Sequence, residues 1–95
     1  MGTIRQQIIA LLEDNEMSAL ELSQAVGVRE KEIYDHLAHI VRTLRSGGKQ
    51  LVRLPSECLA CGYVFERRMR LTPPGRCPKC RKTHVSRPRF YVSGI

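Results

Sequence analysis

The chain has 95 residues, 16 Lys or Arg against nine Asp or Glu, a net charge of +7, and 5% aromatic residues. That length admits one compact domain or two very small ones, and no run of about 18 apolar residues offers a membrane span. Met1-Gly-Thr-Ile-Arg5 leads straight into an amphipathic pattern and not a signal peptide, so a cytoplasmic protein with reduced cysteines is expected.

In chain order, the first expected element is a helix over residues 4–14. Thr3 stands at its N-cap, and Ile4, Ile8, Leu11 and Leu12 form one stripe. Ser18-Ala-Leu-Glu21 is a capping box that starts a short helix over 19–26, and Gly27 stops it. A third helix begins near Arg29 or Glu30 and runs to about Arg45. Ile33, Leu37, Ile40, Val41 and Leu44 line its core face, and Ser46-Gly47-Gly48 ends it. Leu22 through Val28, with Ile33 and Leu37 beyond, resembles a helix-turn-helix, in which small Ser23 permits close packing. Lys49–Leu54 reads as a strand, so this half resembles a winged helix. Further strands are expected over Tyr63–Leu71, at His84-Val85 and at Phe90–Val92, with a turn at Thr72–Gly75.

Cys58-Leu-Ala-Cys61 and Cys77-Pro-Lys-Cys80 contain all four cysteines. Two Cys-x-x-Cys pairs at this separation match zinc-site spacing. Two residues between cysteines allow a tight turn that points both sulfurs at one ion, and two such turns close a tetrahedral four-cysteine site. Gly62 and Pro78 suit those turns. Two disulfides would need an oxidising compartment, and a redox dithiol would need a thioredoxin-like setting; neither is indicated. Cys58 through Phe65 also resembles the first knuckle of a rubredoxin, which binds iron, but the spacer here is short and basic, which favours zinc. The expectation is one structural zinc ion held by Cys58, Cys61, Cys77 and Cys80, in a small antiparallel zinc ribbon.

The fold class expected is therefore α+β: a three-helix winged helix-turn-helix over 1–55, then a four-cysteine zinc ribbon over 56–95, with Tyr63, Phe65 and Phe90 as the ribbon's own core. Over roughly residues 3–92 the chain resembles small prokaryotic predicted transcriptional regulators in which an arsenic-repressor-like winged helix is fused to a C-terminal zinc ribbon. The resemblance rests on Glu21-Leu22 through Gly27-Val28, Glu30 through Leu37, the two cysteine pairs with Gly62 through Phe65, and Arg87 through Phe90. It implies DNA binding and transcriptional regulation. It does not carry over metal sensing, because the helical half lacks cysteine.

Charge divides unevenly. Residues 1–46 hold five basic and seven acidic side chains, net −2, and residues 47–95 hold eleven basic and two acidic, net +9. Such a surplus suits a polyanion. Double-stranded DNA is the first expected partner, bound by a homodimer. The third helix offers Lys31, Tyr34, Arg42 and Arg45, and the ribbon offers Arg67, Arg68, Arg70, Arg87 and Arg89 to the phosphate backbone. Glu30, Glu32 and Asp35 at the leading end of that helix oppose phosphate contact. The alternative is an RNA-binding or protein-docking ribbon adaptor whose helical half mediates association. No Ser/His/Asp set, phosphate loop or paired-carboxylate motif stands out, so no enzyme and no small-molecule substrate are expected.

Overall fold

The computed structural model of the chain describes residues 2–68 and 70–94. Among them the elements run α1 (Ile4–Asp14), β1 (Met17–Ser18), α2 (Ala19–Val26), α3 (Glu30–Ser46), β2 (Lys49–Leu54) and β3 (Arg89–Gly94). Each short helix starts on a reciprocal cap. The Thr3 hydroxyl accepts from the Gln6 N–H, and Gln6 Oε1 accepts from the Thr3 N–H. Ser18 and Glu21 repeat the arrangement in α2. Such caps satisfy helix N–H groups that have no carbonyl partner. Gly27 ends α2 in the left-handed region at φ 75°, where a Cβ would be strained.

The three strands form one antiparallel sheet in the order β1-β3-β2. Met17 pairs with Phe90, and the long ladder runs from Lys49 opposite Gly94 to Leu54 opposite Arg89. Met17–Ser18, where no strand was expected, is thus a short strand that ends on the N-cap residue of α2. The larger difference is at the other end. The strand expected around Phe90–Val92 belongs to this sheet and not to the ribbon.

Phe90 and Val92 point inward, and both are buried with Ile8, Leu12, Ala19, Leu22, Ile33, Leu37, Ile40 and Leu44 in one core. Phe90 is completely inaccessible, so it serves the helical body and not the ribbon core. Val41 is only partly buried. Each large apolar side chain hidden this way contributes about 1.5–3 kcal/mol. Ser23 is buried between the helices, and its hydroxyl donates to the Leu20 carbonyl at 2.6 Å.

Residues 55–88 are therefore inserted between two neighbouring strands of the body's sheet. This segment contains no long strand pair among its described residues. Its pairing is reduced to single bridges, Glu57 with Val64 and Cys58 with Val85. The strand expected over Tyr63–Leu71 does not form: residues 66–67 are a turn and 71–72 a bend, and Met69 lies outside the described residues. The whole is an α+β fold carrying a zinc ribbon. No helix among the described residues is long and apolar enough to cross a membrane.

Candidate metal centre and charged surfaces

The two knuckles are built alike. In the first, the Gly62 N–H donates to the Cys58 carbonyl at 2.8 Å; in the second, the Arg81 N–H donates to the Cys77 carbonyl at 2.8 Å. Both closing residues have positive φ, 81° at Gly62 and 64° at Arg81. Glycine adopts this region freely, whereas the Cβ of arginine makes it cost about 1–2 kcal/mol.

These turns bring the four sulfurs together. Cys58 Sγ lies 3.5 Å from Cys80 Sγ, and Cys61 Sγ lies 3.6 Å from Cys77 Sγ. All four are within 4.8 Å of one another. A disulfide needs sulfurs about 2.05 Å apart, so these are free thiols. A tetrahedral zinc ion with Zn–S of about 2.3 Å needs sulfurs about 3.8 Å apart, and the cluster fits it. Cys58 and Cys77 are buried and Cys61 is exposed.

Backbone amides prepare the thiolates. Burial opposes ionisation of Cys58, but the N–H groups of Cys61 and Ala60 hold its thiol down to about 6. Cys77 is likewise lowered against its burial by the N–H groups of Cys80 and Lys79. Turn geometry thus favours the thiolate at Cys58 and Cys77, whereas Cys61, despite the Tyr63 amide, is pushed up to about 11 by burial and the neighbouring sulfurs. Phe65 packs beside Cys58 and Cys77, with Val85 and Cys80 at the edge. Tyr63, expected inside, stands edge-on to Phe65 at 5.0 Å and is 37% exposed.

The residues expected to meet nucleic acid fall into three groups. On α3, Lys31, Arg42 and Arg45 are exposed, with Asp35, Ala38 and His39 beside them. Tyr34 is half-buried, and its hydroxyl donates to Glu30 Oε2 at 3.0 Å. Burial and that carboxylate push its phenol upward.

Arg87 and Arg89 form the second group, and their guanidinium groups are engaged within the chain. Arg87 Nε donates to Glu30 Oε2 at 2.8 Å. Arg89 bridges Glu16 and Glu21, each at 2.7 Å, and also donates to the Glu16 carbonyl. These pairs tie the end of the insertion and the start of β3 to the helical body. Opposite charge and distant sequence position were the only signals available for them, and neither selects a partner.

In the third group, Arg67 and Arg70 are exposed, while Arg68 is half-buried. Its guanidinium donates to the Thr72 carbonyl and hydroxyl and to the Pro73 carbonyl. These residues lie in a loop and not on the expected strand. Arg53 of β2 donates to the Arg70 carbonyl at 3.1 Å. Partial burial, then the positive charges of Arg70 and Arg53, lower the Arg68 pKa.

Two family models cover nearly all of the chain. One described as "PF0610-like, N-terminal" matches residues 3–52. A second, "PF0610 rubredoxin-like zinc beta-ribbon domain", matches residues 55–94. No curated protein matches the chain. The solution NMR structure of protein PF0610 from Pyrococcus furiosus is similar at a TM-score of 0.81 and 31% identity, covering 100% of this chain and 94% of that one. With the four cysteines assembled inside the second of these matched regions, the chain belongs to the PF0610-like family of proteins that carry a rubredoxin-like zinc ribbon.

Proposed function

We propose that this protein is a DNA-binding transcriptional regulator of the winged-helix type, in which the zinc ribbon replaces the tip of the wing. The observation that carries this reading is the element order α1-β1-α2-α3-β2-β3 with the sheet order β1-β3-β2. A winged helix has this order, its second and third helices form the helix-turn-helix, and its wing is the connection between the last two strands. The arsenic-repressor likeness enters only at this level.

Charge supports a division of labour. The third helix presents Lys31, Arg42 and Arg45 to the major groove. Arg87 neutralises Glu30, so one of three acids at the leading end no longer repels phosphate. On the insertion, Arg67 and Arg70 are exposed, and Arg70 and Arg53 stand close enough to Arg68 to form a cluster of like charge. Phosphate oxygens would relieve that repulsion, which makes this loop a backbone clamp. Arg87 and Arg89, whose guanidinium groups are paired with Glu30, Glu16 and Glu21, also position the insertion. A zinc ion held by the four cysteines fixes the ribbon's shape and leaves no open coordination position for chemistry. On this reading the protein is a cytoplasmic binding module and not an enzyme, and a homodimer would present two reading helices.

A ribbon-led reading, RNA binding through the same cations, is separated by selection from random duplex and single-stranded pools. Enrichment of a duplex motif, lost on changing Lys31 and Arg42 together to Ala, is the expected result. Enrichment only from the single-stranded pool, or no enrichment, overturns the DNA reading.

A further inference from the structure

Leu59, Tyr63 and Val64 are the large apolar side chains left exposed among the described residues, at 53%, 37% and 38%. All three belong to the first knuckle and its exit. The backbone beneath them is held in place. The Leu59 N–H donates to the His84 carbonyl at 2.9 Å, the Cys58 N–H donates to the Tyr63 carbonyl at 2.7 Å, and Val64 bridges to Glu57. Neither the metal cluster nor the small ribbon core uses the Leu59 or Val64 side chains. Apolar side chains presented together on an ordered backbone are what protein contacts use as anchors.

The second knuckle flanks the same four sulfurs and exposes Lys79, Arg81 and Lys82. No acidic residue occurs from Arg67 to the end of the chain. The two knuckles around one cysteine cluster thus carry exposed apolar side chains on the first and exposed cations on the second, complementary to apolar side chains set among carboxylates. Nucleic acid suits the cations but not the apolar side chains. Bases stack on aromatic faces; the one aromatic here, Tyr63, is engaged edge-on with Phe65 and is the least exposed of the three, while Leu59 and Val64 are aliphatic. A second copy bringing its acidic helical half to this tip would make a head-to-tail contact, which builds rings or filaments, and that half is only weakly acidic at net −2.

We propose that the tip of the zinc ribbon docks an acidic protein segment, which lays an apolar side chain against Leu59 and Val64 while its carboxylates meet Lys79, Arg81 and Lys82. This surface is distinct from the α3 face and its function does not depend on DNA binding. The test titrates the zinc-loaded full chain with three probes, followed by amide NMR. They are a peptide interleaving glutamate with leucine and phenylalanine, a glutamate–glycine peptide of equal charge, and oligothymidylate.

The first probe should shift amides of residues 59–64 and 79–82 and bind about tenfold more tightly than the second, a difference of about 1.4 kcal/mol. Leu59→Ser with Val64→Ser should remove that advantage at unchanged zinc content. Lys79→Gln with Lys82→Gln should weaken both peptides and provides a second variant should the first lose zinc. Equal binding of the two peptides overturns the proposal. So does tighter oligothymidylate binding on the same amides, perturbation confined elsewhere, or concentration-dependent self-association through the tip.

Discussion

The helical body and the zinc ribbon are stabilised by different physics. The body hides ten side chains, from Ile8 to Val92, in one continuous apolar core. The insertion over residues 55–88 hides Cys58, Phe65 and Cys77 in its cluster, and two of those are metal ligands. One region folds because apolar surface leaves water. The other is too small for that and depends on metal coordination for its folding free energy. The difference also explains why a ribbon can occupy a loop position. Its two ends are clamped by the β2–β3 ladder and by the Arg87 and Arg89 ion pairs, so the body keeps its sheet whatever the insertion does.

The sharpest way to break the comparison is metal removal. Structural zinc in small modules contributes about 10 kcal/mol or more, so a chelator should collapse amide dispersion for residues 56–86 while α1 to α3 keep their helical circular dichroism. Simultaneous loss of both signals would show one cooperative unit instead of two. Next in size is Phe90→Ala. Removing a fully buried Phe should cost about 3–5 kcal/mol, measured by urea unfolding followed through the helices, with zinc stoichiometry unchanged. Loss of zinc with a stable body would return Phe90 to the ribbon.

The loop of Arg67 and Arg70 offers a smaller effect. Changing Arg67 and Arg70 together to Ala removes two exposed cations and should flatten the salt slope of duplex binding by roughly two units, leaving sequence ranking intact; an unaltered slope excludes the loop from the phosphate backbone. Arg81→Gly compares the two knuckles directly. It should stabilise the ribbon by about 1 kcal/mol, seen as slower zinc loss to a competing chelator, because glycine carries no left-handed penalty. Faster loss would mean that the Arg81 charge outweighs its backbone strain.

Smallest is Glu30→Gln, worth about 1 kcal/mol or less for a solvent-screened pair. The hydrogen bond from Arg87 comes first, then that from Tyr34, in holding the Glu30 carboxyl below its ordinary range. A depressed pKa stabilises the fold above the unfolded carboxylate pKa of about 4.3 and loses that contribution as pH falls through the folded value. Parent and variant should therefore differ equally at pH 7 and pH 6, and converge only below about pH 4. Convergence near neutral pH would exclude the Glu30 carboxylate as the source.

Much of the chain was legible because its signals are local. The two cysteine pairs, the Thr3 and Ser18 caps, Gly27 and the helical stripe through Ile33 and Leu44 each act within a few residues of themselves, and each appears in the structure where its spacing places it. The strand assignments fared differently. Lys49–Leu54 formed as expected, but Tyr63–Leu71 did not: its apolar and basic alternation had no neighbouring strand to complete a ladder, so Phe65 went to the metal cluster and Arg68 to its own loop.

Sequence alone determined the metal site, because ligand spacing and turn chemistry lie in adjacent residues. It also determined the three helices, because capping and 3.6-residue periodicity are properties of the segment itself. Tertiary structure alone decided that β3 returns to the body. Strand pairing between residues 49–54 and 89–94 is non-local, and Phe90 reads as apolar in either destination. The larger helical core could bury it completely, whereas the ribbon could not, and that choice carried Arg87 and Arg89 onto Glu30, Glu16 and Glu21.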